Sequence, residues 1–334
     1  MSSETLERLF GASHALDHPV TLIVTIALAA LLPVTLAAIW LLAKTGRIDE
    51  KLRIELMRHY WSWLVLIPLI LGPILLGAKW TIVGVGLLSL LCYREYARAT
   101  GLFREKTISL VVVLGILMVM FAALDHWYRL FVALVPITIG IIAMAAILRD
   151  EPKGYIQRVA LGVLGFALFG SCLGHLGYLA NDVSYRPMLI LIFLSVEMND
   201  VFGFIVGKSL GQRKLIPNTS PTKTIAGAVG ALVLTTLLVM GLGVFVFQGT
   251  VLAIFVHLAM LGVIISVMGQ FGALVLASIK CDLGIKDMAA TIPGQGGLLD
   301  RFDSIILVAP AVFHYINYFV GVGVAQSASV LTGG

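Results

Sequence analysis

The sequence predicts an all-α protein: a polytopic integral membrane helical bundle of about ten transmembrane helices. Three observations carry this. First, of 334 residues 59% are hydrophobic and only 12% charged, with a mean hydropathy of +1.01, whereas a soluble domain is about a quarter charged. Second, the apolar residues fall into runs close to the roughly 20 residues that a bilayer crossing needs. Third, the cations collect in alternate connectors, as the topology rule for membrane helices requires.

Taken in order, the runs place crossings near 20–43, 61–77, 80–93, 107–124, 130–148, 159–180, 188–207, 225–247, 251–278 and 304–325. Pro33, Pro68, Pro73 and Pro136 lie inside these runs and are expected to kink their helices. The second and third runs are short and separated only by Ala78 and Lys79. They read as a tight hairpin or as one broken re-entrant unit. Residues 1–60 form an N-terminal extension with one transmembrane helix and a basic amphipathic connector. That connector, residues 44–60, is expected to lie as a surface helix on the headgroups. Residues 61–334 make the main membrane domain. The first 19 residues lack a basic stretch followed by an apolar core, so a cleaved signal peptide is not expected.

Charge orients the bundle. With the N-terminus outside, the connectors 44–60, 94–106, 149–158, 208–224 and 279–303 face the cytoplasm and hold 19 of the 23 Lys and Arg residues. The outside keeps Arg8, Lys79, Arg129 and Arg186. The net charge of +5 therefore reflects topology rather than a nucleic-acid partner. Cys92, Cys172 and Cys281 have no paired spacing, which argues against a disulfide framework or a zinc motif. His175, His257 and His314 read as hydrogen-bonded residues inside the bundle.

Two of the inward connectors carry the chemistry. The first spans 197–224. Glu197 and Asp200 follow an apolar run and are three residues apart, so they share a helix face. Carboxylates at membrane depth are costly and mark sites. Gly207-Lys208-Ser209 is a fragment of a phosphate loop without the rest of that pattern. Ser220, Thr222, Lys223 and Thr224 stand just before the next apolar run. Hydroxyls, a lysine and a helix start there suit phosphate oxygens; an ordinary helix cap plus a topological lysine is the other reading. The second connector, 280–303, holds Lys280, Asp282, Lys286, Asp287, Asp300, Arg301 and Asp303 around a Pro293-Gly294 turn and Gly296-Gly297. Asp300 and Asp303 share a helix face. Two or three such carboxylates suit Mg²⁺, a cation usually shared with substrate phosphates, and Lys280 and Lys286 suit the remaining phosphate charge.

These two segments resemble the phosphatidate cytidylyltransferase (CDP-diacylglycerol synthase) family. The resemblance rests on Lys280, Lys286-Asp287, Pro293-Gly294-Gln295-Gly296-Gly297 and Asp300-Arg301-Phe302-Asp303, with the family spacing kept throughout. Upstream it rests on Asn199-Asp200, Gly207-Lys208, Gly211, Lys214-Leu215, Pro217, Ser220-Pro221, Lys223-Thr224 and Gly227.

The resemblance implies a membrane enzyme that makes CDP-diacylglycerol, or a similar CDP-lipid, from CTP and phosphatidate with release of pyrophosphate. It implies Mg²⁺ as cofactor, with Asp300, Asp303 and Asp200 as metal ligands. Asp300, Asp287 and Lys280 are the expected catalytic residues. Asn199, Lys208, Lys214, Ser220, Lys223, Thr224, Lys286 and Arg301 are the expected substrate-binding residues. The expected partners are CTP, phosphatidate or a related lipid phosphate, membrane lipids and a second copy of the chain as a homodimer. The expected location is a bacterial inner membrane with the site on the cytoplasmic side.

The sequence also departs from the family. Ala273 stands where the family has a metal-binding Asp, and Ala277 stands at the signature Ser. Gln295 replaces the signature His, Cys281 an Arg, and Ile225-Ala226 a Trp-Glu pair. Asp282, Glu197 and Asp200 are the carboxylates available to stand in for the lost Asp. Two alternatives follow: a CTP-dependent polyprenol or lipid kinase, and a catalytically impaired paralogue that binds lipid or nucleotide.

Overall fold

A computed structural model describes residues 9–46, 49–292 and 296–321. The architecture is a helical bundle with one small β-hairpin. The helices are α1 (Pro19–Lys44), α2 (Glu50–Leu76), α3 (Ala78–Ala99), α4 (Lys106–Leu124), α5 (Tyr128–Ile147), α6 (Tyr155–Gly165), α7 (Leu173–Leu179), α8 (Tyr185–Leu210), α9 (Ile225–Val246), α10 (Phe255–Leu283) and α11 (Leu299–Val320). A π-helical stretch, Phe166–Cys172, joins α6 to α7. Among the described residues, nine segments are long and apolar enough to cross a bilayer: every helix but α3, with α6 and α7 counted as one. The tenth long helix, α3, carries Lys79, Arg94, Glu95 and Arg98 and so falls outside that group. The chain is thus an integral membrane protein by length and composition of its helices.

Local sequence accounts for the helix ends. His18 accepts the Val20 N–H at 3.2 Å, and Pro19 starts α1 without an orphaned donor. Asp49 accepts the Leu52 N–H at 2.9 Å and starts α2. From this cap the helix runs without interruption to Leu76. Residues 50–60 are therefore its first turns, not the separate surface helix that amphipathicity suggested. The expected break near residue 78 resolves into two full helices meeting at Gly77, whose φ is 138°. At the other end of α3, the expected connector 94–106 begins with helix, because α3 continues to Ala99.

The interior is aromatic on one side and small on the other. Tyr96, Phe166, Phe169, Tyr178 and Phe313 are fully buried where α3, the π-helical stretch, α7 and α11 meet. Tyr96 and Phe169 pack with ring centroids 5.4 Å apart. By contrast, α8 and α9 meet through glycines. A Cβ on Gly227 would lie 2.6 Å from the Gly203 carbonyl oxygen, so the backbones can approach only because none is present.

The connector between α8 and α9 is not irregular. It folds as an antiparallel hairpin of β1 (Lys214–Ile216) and β2 (Ser220–Thr224). Thr224 ends the hairpin and caps α9, accepting the Gly227 N–H at 3.1 Å. Thus α8, the hairpin, the start of α9, the last turns of α10 and the start of α11 gather at one end of the bundle.

Candidate active site

A cavity of about 330 Å³ opens at that end. Asn199, Asp200, Gly203 and Phe204 of α8 line one wall, and Lys223 and Thr224 of the hairpin line another. Gln270 and Ala273 of α10 and Asp300 and Asp303 of α11 complete it. Carboxylates from the two sequence segments, 100 residues apart in the chain, therefore share one space.

Within it, Asp200 and Asp303 are joined through a single hydroxyl. The Ser304 Oγ lies 3.0 Å from Asp200 Oδ2 and 3.3 Å from Asp303 Oδ1. A serine has one proton to donate, so its hydroxyl serves one carboxylate at a time. Two donors in the cavity wall are also uncommitted. The Lys223 Nζ and the Asn199 Nδ2 are buried with no hydrogen-bond partner among the described residues. The Asn199 amide is held in place from its other side, where Oδ1 accepts from Thr235 Oγ1 at 3.1 Å and Ser266 Oγ at 2.6 Å. A buried ammonium with no hydrogen-bond acceptor is costly, and phosphate oxygens entering the cavity would supply one.

Asp300 is held more firmly. Its Oδ1 accepts from Lys280 Nζ at 2.9 Å, and its Oδ2 accepts from Met288 N at 3.0 Å and Gly297 N at 2.8 Å. The carboxylate is 7% exposed. It ties the end of α10, the connector and the first turn of α11 together. Asp287 lies close by: a Cβ on Gly296 would be 2.9 Å from Asp300 Oδ2 and 3.1 Å from Asp287 Oδ1.

Sequence reasoning missed Ser304 and Gln270 at the cavity and, behind it, Glu95 of α3. Glu95 is 6% exposed. It accepts from Thr291 Oγ1 at 2.6 Å, Leu298 N at 3.0 Å and Leu299 N at 2.8 Å. Leu298, at the cap position of α11, has no side chain able to bind the helix's first N–H groups, so Glu95 supplies that cap from another helix. Gly297 makes room for it, since a Cβ there would lie 2.4 Å from Glu95 Oε2. The signal was present as an acid beside a buried tyrosine, Glu95-Tyr96, but the predicted end of the crossing at residue 93 put it in a loop.

The remaining candidates sort clearly. Lys280 reaches the cavity wall through Asp300. Lys208, Lys214, Lys286 and Arg301 are exposed, and Lys208 sits 5.7 Å over the Phe204 ring. Ser220 is in β2, outside the cavity lining. Thr224 lines the cavity, with its hydroxyl accepting the α9 cap bond. Among the carboxylates available to replace the lost Asp, Asp282 is exposed and Glu197 faces a different cavity, which leaves Asp200. Ala273 does line the polar cavity. It is set there by the close approach of α10 and α11, where a Cβ on the preceding Gly272 would lie 2.7 Å from the Asp303 carbonyl. The exposed Cys281 donates its Sγ–H to the Thr219 carbonyl at 3.4 Å, a weak tie between the two connectors. The Pro293-Gly294 turn and Gln295 lie outside the described residues.

Fold and site define a class: a polytopic membrane protein with a cavity at one end, carrying carboxylates beside a buried lysine. The sequence model of the cytidylyltransferase family matches residues 57–319, and the chain belongs to that family. It is 28% identical over 287 residues to the uncharacterized protein YnbB of Escherichia coli K12, covering 84% of this chain and 91% of the other. It is 29% identical over 230 residues to the phosphatidate cytidylyltransferase of Bacillus subtilis 168, covering 64% and 81%. The phosphatidate cytidylyltransferase of Staphylococcus aureus COL is 26% identical over 240 residues, covering 71% and 90%.

Proposed function

We propose that this chain transfers the cytidylyl group of CTP to phosphatidate or a similar lipid phosphate, forming a CDP-lipid and pyrophosphate. Membership of the cytidylyltransferase family supports the reaction class, and the names of the Bacillus and Staphylococcus relatives support the lipid acceptor. The observation that carries the reading is the single cavity in which Asp200, Asp300 and Asp303 meet Lys223.

An oxygen of the lipid phosphate attacks the α-phosphorus of CTP, a new P–O bond forms, and the bond to the β-phosphate breaks. Both reactants are polyanions, so positioning and charge neutralisation do most of the work. Lys223 and the Asn199 amide donate to phosphate oxygens. Asp300, with Lys280, Met288 and Gly297, fixes the connector over the site, and Glu95 fixes its far end. Among the described residues, no three acidic, His or Cys side chains converge tightly enough to hold a metal alone. Mg²⁺ fits such a site, because it binds through one or two carboxylates and substrate phosphates. Asp200 and Asp303 would hold it, with Asp300 on the same wall. Bound there, it would neutralise phosphate charge. The charge asymmetry of the connectors supports placing the site on the cytoplasmic side, and the bacterial sources of the relatives support a bacterial inner membrane.

One observation favours a second reading. Ala273 puts a methyl group into the cavity where the family resemblance expects an Asp, which suits a paralogue that binds nucleotide or lipid without turnover. Purified protein in nanodiscs, given α-labelled CTP and phosphatidate with and without Mg²⁺, separates the two. Labelled CDP-lipid supports the transferase. Saturable CTP binding with no product supports the binding protein, and labelled CDP with a phosphorylated lipid, formed when a polyprenol or other lipid alcohol replaces phosphatidate, supports the kinase.

A further inference from the structure

A second cavity, of about 370 Å³, lies between α1, α2 and α8. Its walls are apolar: Val24, Leu28 and Leu32 on α1, Trp63 and Ile67 on α2, and Phe193 on α8. His59, Tyr60 and Glu197 give it a polar fringe. Along α1 the lining runs from Val24 to Ile39, about 22 Å of helix rise. That exceeds one leaflet of a bilayer core about 30 Å thick. The α1 wall lies before residue 57, outside the part of the chain that the family sequence model matches.

The two cavities adjoin on one helix. Glu197 and Val201 line the apolar cavity, while Asp200 and Phe204 line the polar one. At 3.6 residues per turn these four side chains occupy a single arc of about 100° on α8. Val201 and Phe204 are exposed, so the arc is an open surface leading from one cavity to the other. A molecule with an apolar chain and a phosphate head matches both ends of this path. The apolar wall alone selects nothing, because bilayer lipid is as apolar as the wall. Selection comes from the head, through Lys223 and Asn199.

The geometry points to the α1–α2–α8 cavity as the seat of one acyl chain of the lipid phosphate, with the head lying over the α8 arc toward Asp200. This rests on the proposed reaction for the nature of the head. It adds that α1, an element outside the matched region, shapes the chain site.

Two measurements test it. Leu28→Trp fills the cavity from α1, away from the polar site. Turnover of a long-chain phosphatidate should fall at least tenfold, while turnover of a dihexanoyl phosphatidate stays within twofold of the parent. Equal effects on both lipids would overturn the chain site. The second measurement needs no turnover and covers a Leu28→Trp protein that fails to fold. With Trp40, Trp61, Trp80 and Trp127 replaced by Phe, Trp63 reports from the cavity wall. Phosphatidate with brominated chains should quench it several-fold more than phosphatidylcholine with the same chains at equal mole fraction. Equal quenching would make the cavity an ordinary lipid-facing surface and end the proposal. Selective quenching without any CDP-lipid formation would uphold the chain site while rejecting the reaction.

Discussion

Glu95 accepts the backbone N–H of Leu299 at 2.8 Å, across 204 residues of chain. The same carboxylate takes the Leu298 N–H and the Thr291 hydroxyl. One buried acid on α3 thus sets where α11 begins, and with it the position of Asp300 and Asp303.

Removing this cap should loosen the site without touching substrate. Glu95→Ala leaves two N–H groups and a hydroxyl unpaired, at about 1–3 kcal/mol for each buried donor. We expect a lower melting temperature and a fall in turnover of about 10²-fold, as for a small misplacement of a reacting group. Glu95→Gln keeps one acceptor and should fall between. Thermal melts in detergent, paired with initial rates, check both. Parent-like turnover in Glu95→Ala would remove Glu95 from the positioning role.

Asp300→Asn should be more severe. The amide cannot accept from Lys280, Met288 N and Gly297 N in the same arrangement, and Lys280 loses its ion-pair partner. Losses of 10²-fold or more, about 2.7 kcal/mol, are typical when a preorganised electrostatic contact is removed. Initial rates of CDP-lipid formation read this directly, and full retained turnover would exclude Asp300 from the mechanism.

Lys223→Met removes the buried ammonium that has no partner in the described structure. A charged hydrogen bond contributes about 1.5–3 kcal/mol, so KM for CTP or for the lipid phosphate should rise roughly 10- to 150-fold. Stability should fall, because the ammonium is also the countercharge to the Asp200 and Asp303 carboxylates that share its cavity. Steady-state kinetics with each substrate varied in turn, together with a thermal melt, check this.

Ala273→Asp restores the carboxylate that the resemblance expects, at a position already facing the cavity. Another oxygen ligand should lower the Mg²⁺ concentration for half-maximal activity by about tenfold. A magnesium titration of the two proteins shows the shift. Its absence, in a variant that folds, would place the metal away from residue 273.

Much of this was legible in the chain. Runs of apolar residues and confined cations gave the membrane bundle, and the polar segments gave Asn199, Asp200, Lys223, Thr224, Asp300 and Asp303 as neighbours. The sequence could not show which cations point away. Lys208, Lys214 and Lys286 look like Lys223 in one dimension, and only packing separates these exposed side chains from its buried ammonium. Nor could it show Glu95, whose role depends on contacts about 200 residues away. Residues 50–60 were misread because an amphipathic pattern is the same for a surface helix and for the first turns of a spanning one. Glu197 and Asp200 do share a helix face, as their spacing predicts, yet each opens on its own cavity because α2 and α9 pack against different edges of it.

The most direct test of the central claim is the fate of α-labelled CTP in nanodiscs containing phosphatidate. The account predicts label in a CDP-lipid, dependent on Mg²⁺, and lost when Asp200 and Asp303 are both changed to Asn. Label in CDP-lipid that persists in that double variant, or that forms equally in the presence of a chelator, would contradict it.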